Sequence, residues 1–203
     1  MTRRTLVIAT RNPGKLREFR RLLGDLPLEL VSLEAVAAKT CLEETGESFE
    51  ENAVLKAVGY SKVTGALTLS DDSGLEVDAL RGEPGVHSAR YAGLNQTDEG
   101  RNRYLLTQLE GVPARRRTAR YRAVLAIADP ARTGIPPITV EGVCEGRIAE
   151  SPAGENGFGY DPLFWVDRLG RTMAQLSADE KDAISHRGIA ARKMAVILRE
   201  LIG

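Results

Sequence analysis

Residues 5–15 read Thr5-Leu6-Val7-Ile8-Ala9-Thr10-Arg11-Asn12-Pro13-Gly14-Lys15, and the change of character inside that stretch decides the fold class. Residues 5–9 are a short apolar, β-branched run, the pattern of a strand buried on both faces. Asn12, Pro13 and Gly14 stop it with turn chemistry. Leu16, Phe19, Leu22 and Leu23 then recur at helical spacing, with Gly24 as a stop. The chain therefore opens as strand, turn and helix, the unit from which helix-covered sheets are built.

Working outward, the alternation continues. Residues 28–32 suggest a second strand. Ser48 with Glu51 three residues later is a capping-box pattern, and Ala53, Val54, Ala57 and Val58 predict a helix to about residue 63. Residues 66–69 form a buried strand that runs into Ser70-Asp71-Asp72-Ser73-Gly74, read as the mouth of that strand. Residues 75–80 suit a strand or a short helix, and residues 86–91 stay open between states. Thr97 or Asp98 caps a helix that carries Tyr104, Leu105, Leu106 and Leu109 and closes at Gly111. Residues 120–128 alternate as a strand, with Tyr121, Ala123, Leu125 and Ile127 on one face. Residues 138–148 pair with them across an exposed loop marked by Pro130, Gly134, Pro136 and Pro137. Residues 152–160 form a glycine-rich loop and residues 163–166 a short strand. Ser177 with Glu180 is a second capping box, and a last helix runs from about residue 186 to 201, with Met194, Ile197, Leu198 and Leu201 on its core side. The expected class is α/β: a mixed sheet with helices on both faces, in a single domain of residues 1–203.

Composition narrows the function. The chain has 203 residues, 28 of them basic and 28 acidic, so no net field draws it towards a polyanion and a nucleic-acid-coating role is disfavoured. No apolar run approaches a membrane span, and residues 1–9 are too short for a secretory leader. Cys41 and Cys144 form neither a framework nor a CxxC pair, and read as reduced thiols of a cytoplasmic protein. With two histidines in the chain, any metal would be held by carboxylates, which points to magnesium or manganese rather than zinc.

Five constellations carry chemistry. Thr10, Asn12, Gly14 and Lys15 sit where a strand ends and a helix starts. Backbone N–H groups, a helix dipole and an ammonium there suit a phosphate, although a plain strand-to-helix turn has the same look. Asp71-Asp72 leaves a buried strand and repels itself unless a cation lies near, and Glu43-Glu44 is a second acidic pair in a loop. Carboxylates from two loops together with phosphate oxygens are the usual holder of magnesium. Lys56, beside an apolar helix face, is either a snorkelling surface lysine or a cation aimed at phosphates. In residues 153–162, glycines around Phe158 and Tyr160 let a backbone approach a planar base that a ring could cover. Lys181, His186 and Arg187 bring donors suited to keto or phosphate oxygens.

Taken in order, these stretches resemble the inosine triphosphate pyrophosphatase family, which acts on noncanonical purine nucleoside triphosphates. The resemblance runs from Val7 to Gly188. It rests on Ala-Thr-Arg-Asn-Pro-Gly-Lys (9–15), Glu-Glu-Thr-Gly (43–46), Ser-Phe-Glu-Glu-Asn-Ala-Val-Leu-Lys-Ala (48–57), Asp-Asp-Ser-Gly-Leu (71–75), Ser-Ala-Arg-Tyr (88–91), Gly-Phe-Gly-Tyr-Asp-Pro (157–162) and Ser-His-Arg-Gly (185–188). It implies hydrolysis of XTP, ITP and dITP to the monophosphate and pyrophosphate, with magnesium (one ion per subunit; manganese as the alternative). It also implies a long mixed sheet flanked by helices in two lobes with a central cleft, a homodimer, and a role in clearing deaminated purines from the nucleotide pool. No nucleic acid or membrane partner is expected.

By position, the resemblance implies that Thr10, Arg11, Asn12, Pro13, Gly14 and Lys15 line the triphosphate. Glu43 and Asp72 would bind the metal, with Glu44 the alternative to Glu43. Asp72 would also accept the proton of the attacking water, Ser73 would contact substrate and Lys56 would hold phosphate. Phe158, Gly159, Tyr160, Asp161, Lys181, His186 and Arg187 would surround base and sugar. Arg11 stands where many relatives have glycine, so its own contact to phosphate is open. Two rival readings are a nucleotide-binding regulator without turnover, and a pyrophosphatase of pyrimidine or ordinary nucleotides. The first would have no need of Glu43, Asp71, Asp72 and Lys56 together.

Overall fold

The structure is a computed structural model that describes residues 3–38, 40, 42–132 and 134–202. Met1, Thr2 and Cys41, used in the sequence reading, lie outside the described residues. The strands are β1 (Arg4–Ala9), β2 (Leu28–Ser32), β3 (Leu67–Val77), β4 (Thr118–Ala128), β5 (Ile138–Ile148), β6 (Phe164–Val166) and β7 (Arg171–Thr172). The helices are α1 (Pro13–Leu22), α2 (Phe49–Thr64), α3 (Asp98–Gln108), α4 (Ala178–Ile184) and α5 (His186–Ile202). The strands form one sheet in the order β2-β1-β3-β4-β5-β6-β7. β1 pairs in parallel with β2 and β3, while β6 pairs antiparallel with β5 and β7, so the sheet is mixed as expected. No helix among the described residues is long and apolar enough to cross a membrane.

By contacts the chain divides into two compact units, residues 1–72, 123–142 and 188–203, and residues 73–122 and 143–187. In the first, the period-two geometry of β1 serves two cores. Leu6 and Ile8 pack with Leu67 and Leu69 of β3, Phe19 of α1, and Ala190, Met194 and Leu198 of α5. Val7 and Ala9 turn the other way, to Leu33 and to Tyr60 of α2. Each fully buried aliphatic side chain of this kind contributes about 1.5–3 kcal/mol relative to exposure. In the second unit, Leu105 of α3 and Leu109, the residue that caps its C-terminus, pack with Leu75, Val77, Tyr121, Ile148, Phe164 and Met173. Tyr104 is not part of that core. It is half-exposed and meets Tyr91 edge-on, with ring centroids 5.1 Å apart.

Two further local expectations change. β3 does not stop at Leu69. It continues through Asp71 and Asp72 to Val77, followed by a 3₁₀ turn at Asp78–Leu80. The polar residues look like a turn in sequence, but their charges are neutralised inside the fold and the ladder runs on. The capping box at α2 is half made: Ser48 Oγ accepts from the Glu51 N–H, but the Glu51 carboxylate reaches back to the N–H of Glu47. At α4 both halves form between Ser177 and Glu180. Residues Gly85–Arg90 are 3₁₀.

Candidate active site

The strand parity of β3 separates the two aspartates. Asp71 continues the Leu67–Leu69 side, which faces α1 and α5, and Lys15 of α1 meets its Oδ2 at 2.9 Å. Asp72 continues the Ser70 side, which faces α2. There Ser70 Oγ donates to the Ala53 carbonyl, and Lys56 meets Asp72 Oδ1 at 2.8 Å. Adjacent carboxylates that repel in sequence are thus sent to opposite faces, and each finds a lysine. Asp71 is 2% exposed, Asp72 6% and Lys56 8%. Charges so deeply buried persist only when paired.

Lys56 Nζ also lies 2.6 Å from Glu44 Oε1, so one ammonium joins two carboxylates from different elements. Burial works against the lysine charge, but Asp72 and Glu44 outweigh it and hold the pKa of Lys56 above its ordinary value. For Asp72 burial dominates and lifts the carboxyl above the usual range, opposed by Lys56 and then Lys15. Glu43 is exposed. The loop that carries both glutamates is fastened by Asn52, a buried residue that sequence reading passed over. Its Oδ1 accepts from Gly46 N at 2.8 Å and its Nδ2 donates to Gly46 O at 3.2 Å. The only hint in sequence was a polar residue beside the apolar face of α2.

The start of α1 differs from the expected anion cradle. Asn12 Oδ1 accepts from the N–H groups of Gly14 and Lys15, at 2.8 and 3.1 Å, and Thr10 Oγ1 accepts from Asn12 N at 3.1 Å. Donors read as unpaired are taken by the helix's own N-cap, as such caps do. Pro13 occupies the first helical position, where its missing N–H costs nothing. The Arg11 guanidinium donates to the carbonyls of Ala38 and Thr40, both at 3.1 Å, so it braces the following loop.

In the second unit, the Asp161 carboxylate accepts from Tyr121 Oη at 3.3 Å, from the backbone N–H of Phe158 at 3.0 Å, and from the ammonium of Lys181. It organises the loop around Phe158. Gly157 makes this possible: its φ is +78°, and a Cβ there would strike the Asp161 carboxylate. Lys181 Nζ stands 4.8 Å from the centre of the Phe158 ring and Arg187 Cζ 5.7 Å. Arg187 is 2% exposed and donates to Ser73 Oγ at 2.8 Å. His186 stacks on Tyr121, with centroids 4.6 Å apart and planes 15° from parallel. Tyr160 Oη donates to the Ser88 carbonyl at 2.9 Å. His186 and Arg187, which sequence alone could leave solvated at a helix start, are buried. Tyr121, read before as a plain strand residue, joins Asp161 to His186. Burial first, then the nearby Asp161 charge, hold its phenol well above the ordinary pKa.

A model of the Ham1 family matches residues 6–197. The chain belongs to the Ham1 family. It is 49% identical over 189 residues to a dITP/XTP pyrophosphatase of Bacillus cereus, covering 93% of this chain and 92% of that protein. A dITP/XTP pyrophosphatase of Geobacter sulfurreducens is 51% identical over 190 residues, covering 94% and 93%. Among solved structures, a HAM1 protein from Coxiella burnetii superposes with a TM-score of 0.87 at 42% identity, covering 97% of this chain and 99% of that one. A nucleoside-triphosphatase / dITP/XTP pyrophosphatase from Mycobacterium abscessus gives 0.75 at 45% identity, covering 96% and 98%.

Within this Ham1-family chain, the described residues hold no cluster of three metal-ligating side chains. Magnesium does not demand one, because it uses one or two carboxylates and fills its shell with phosphate oxygens and water. Asp72 and Glu44 already share one cation, the ammonium of Lys56, and present hard oxygens of the type magnesium prefers. The donor set therefore fits the ion.

Proposed function

We propose that this chain hydrolyses XTP, ITP and dITP to the nucleoside monophosphate and pyrophosphate, with magnesium. The observation that carries the reading is the buried alternation of carboxylate and ammonium at Lys15–Asp71 and Lys56–Asp72, in a chain nearly half identical to dITP/XTP pyrophosphatases. In the reaction a water oxygen attacks the α-phosphorus, the bond from that phosphorus to the bridging oxygen breaks, and pyrophosphate leaves with the electron pair. Charge grows on the phosphoryl oxygens, and stabilising it is the main catalytic task.

Lys56 and Lys15 supply fixed positive charge for that task. Asp72 takes the proton from the attacking water. Magnesium would be held by Asp72 with Glu43 or Glu44, and would neutralise phosphate charge when bound. Phe158 offers a face to the purine. Lys181 and Arg187, close to that ring, offer donors to a 6-keto oxygen. Adenine carries an amino group at that position and would leave the donors unpaired, at a cost of about 1–3 kcal/mol for each. Arg11 assists by bracing the loop rather than by touching phosphate.

Homodimeric assembly and a cytoplasmic location belong to the same proposal and rest on the family resemblance and the thiol usage. Light scattering of the purified protein and cell fractionation check them. The central test is a panel of XTP, dITP, ATP, GTP and dUTP with and without magnesium, read as pyrophosphate release. Turnover confined to XTP and dITP with the ion supports the proposal. Binding without turnover would favour a regulator, and preference for dUTP or ATP a different pyrophosphatase.

A further inference from the structure

Gly159 follows the Phe158 ring directly and is gripped through both of its main-chain polar groups by one helix. Its N–H donates to Asp98 Oδ2 at 2.6 Å, and its carbonyl accepts from Asn102 Nδ2 at 2.9 Å. Asp98 and Asn102 are four residues apart on α3, so they present one turn of one face. Asp98 is braced in turn by Arg101, whose guanidinium also donates to the carbonyls of Ala89 and Gln96 at 3.2 and 2.6 Å.

Three features mark this grip as more than local tidiness. Gly159 has φ +64° and open space around its Cβ position, so no side chain of its own anchors it. A cavity of about 520 Å³, lined in part by Asn102, Leu106, Gly157 and Phe158, lies beside the loop and leaves it room to shift. Asn102 is only 7% exposed, yet its Oδ1 meets no hydrogen-bond donor among the described residues. A buried acceptor left in that state is unfavourable, and an apolar residue would avoid it. What asparagine contributes at this position is its donor end.

We infer that Asp98 and Asn102 are positioning residues for purine recognition, clamping Gly159 so that the Phe158 ring stays against Lys181 and Arg187. The inference rests on the base-binding reading of Phe158 given above. An ordered ring serves ground state and transition state alike, so loosening it should appear in KM rather than kcat.

The test uses the full chain with dITP and magnesium, together with amide exchange at Gly159 in the unliganded protein. Asn102→Ala is expected to speed exchange at Gly159 and raise KM roughly three- to tenfold, the factor one net hydrogen bond provides, with kcat within about twofold. Asp98→Ala should do the same. Asp98→Asn keeps an acceptor for the Gly159 N–H and should restore KM to near the wild-type value. Should Asn102→Ala fail to fold, the Asp98 pair decides. Faster exchange with unchanged KM, a fall in kcat at constant KM, or Asp98→Asn as damaged as Asp98→Ala would each overturn the clamp. A wild type inactive on dITP overturns the proposed function instead, and exchange at Gly159 still reports whether the clamp exists.

Discussion

Asp72 and Lys56 meet at 2.8 Å inside the protein, although sixteen residues and two different elements separate them in the chain. The aspartate is mid-strand on β3 and the lysine mid-helix on α2. Neither charge would persist unpaired at such burial, and each neutralises the other.

Asp72→Asn is expected to lower kcat for dITP by at least about a hundredfold, the lower bound for losing a positioned proton acceptor. Pyrophosphate release measures this, and circular dichroism should show the fold intact, because Glu44 still pairs with Lys56 at 2.6 Å. Asp71→Ala should act on stability instead. It removes the buried carboxylate that Lys15 meets at 2.9 Å and should cost about 3 kcal/mol in a urea titration. Equal loss of activity and stability in both variants would contradict the separation of the two faces.

Phe158→Ala should raise KM for dITP by roughly ten- to a hundredfold while kcat falls much less, since base–aromatic stacking is worth about 1–3 kcal/mol. Steady-state kinetics decide it. A kcat effect larger than the KM effect would remove the ring from simple base binding.

Gly157→Ala adds a methyl group at φ +78° and directs it at the Asp161 carboxylate. The variant should lose at least about 1 kcal/mol from backbone strain, and more if Asp161 releases Lys181 and Tyr121. A thermal melt reads the stability loss, and KM for dITP should rise in parallel.

The alkaline limb of stability should be steep. Burial, then Glu83, raises the Tyr91 phenol to about 12, and burial lifts the Cys144 thiol to about 11. Tyr121 and Tyr160 are displaced upward as well. Each folded pKa lies above its unfolded value of 9.0 for the thiol or 10.0 for the phenols. The folded state therefore keeps protons that the unfolded chain loses. The stabilisation is complete below about pH 9 and disappears as pH climbs towards the folded values. A falling melting midpoint above that pH should accompany delayed phenolate absorbance, released on denaturation. Simple titration of Tyr91, Tyr121 and Tyr160 near pH 10 would refute it.

Much of the fold was legible in order of residues. The apolar run of β1, the helical spacing of α1, the Ser177–Glu180 cap and the alternation of β4 are local signals, and local signals survive into the structure because neighbours in sequence make them. The glycine-rich stretch of residues 152–160 was legible as a loop too, since clustered glycines punctuate helices and strands. The continuation of β3 through Asp71 and Asp72 was not. A strand carrying two carboxylates is stable only where distant lysines neutralise them, and nothing within the strand announces those lysines. Asn52 and Asn102 were missed for a related reason: each holds the backbone of a glycine far from it or in another element, and an asparagine in a helix gives no sign of its partner.

The sequence by itself determined the class of the fold, the family resemblance, and the kinds of side chain available for a triphosphate and a purine. Only the tertiary structure decided which carboxylate meets which lysine. The reason is the twofold repeat of a strand: it turns consecutive side chains to opposite faces, and what waits on each face is set by the packing of α1 and α2 against the sheet.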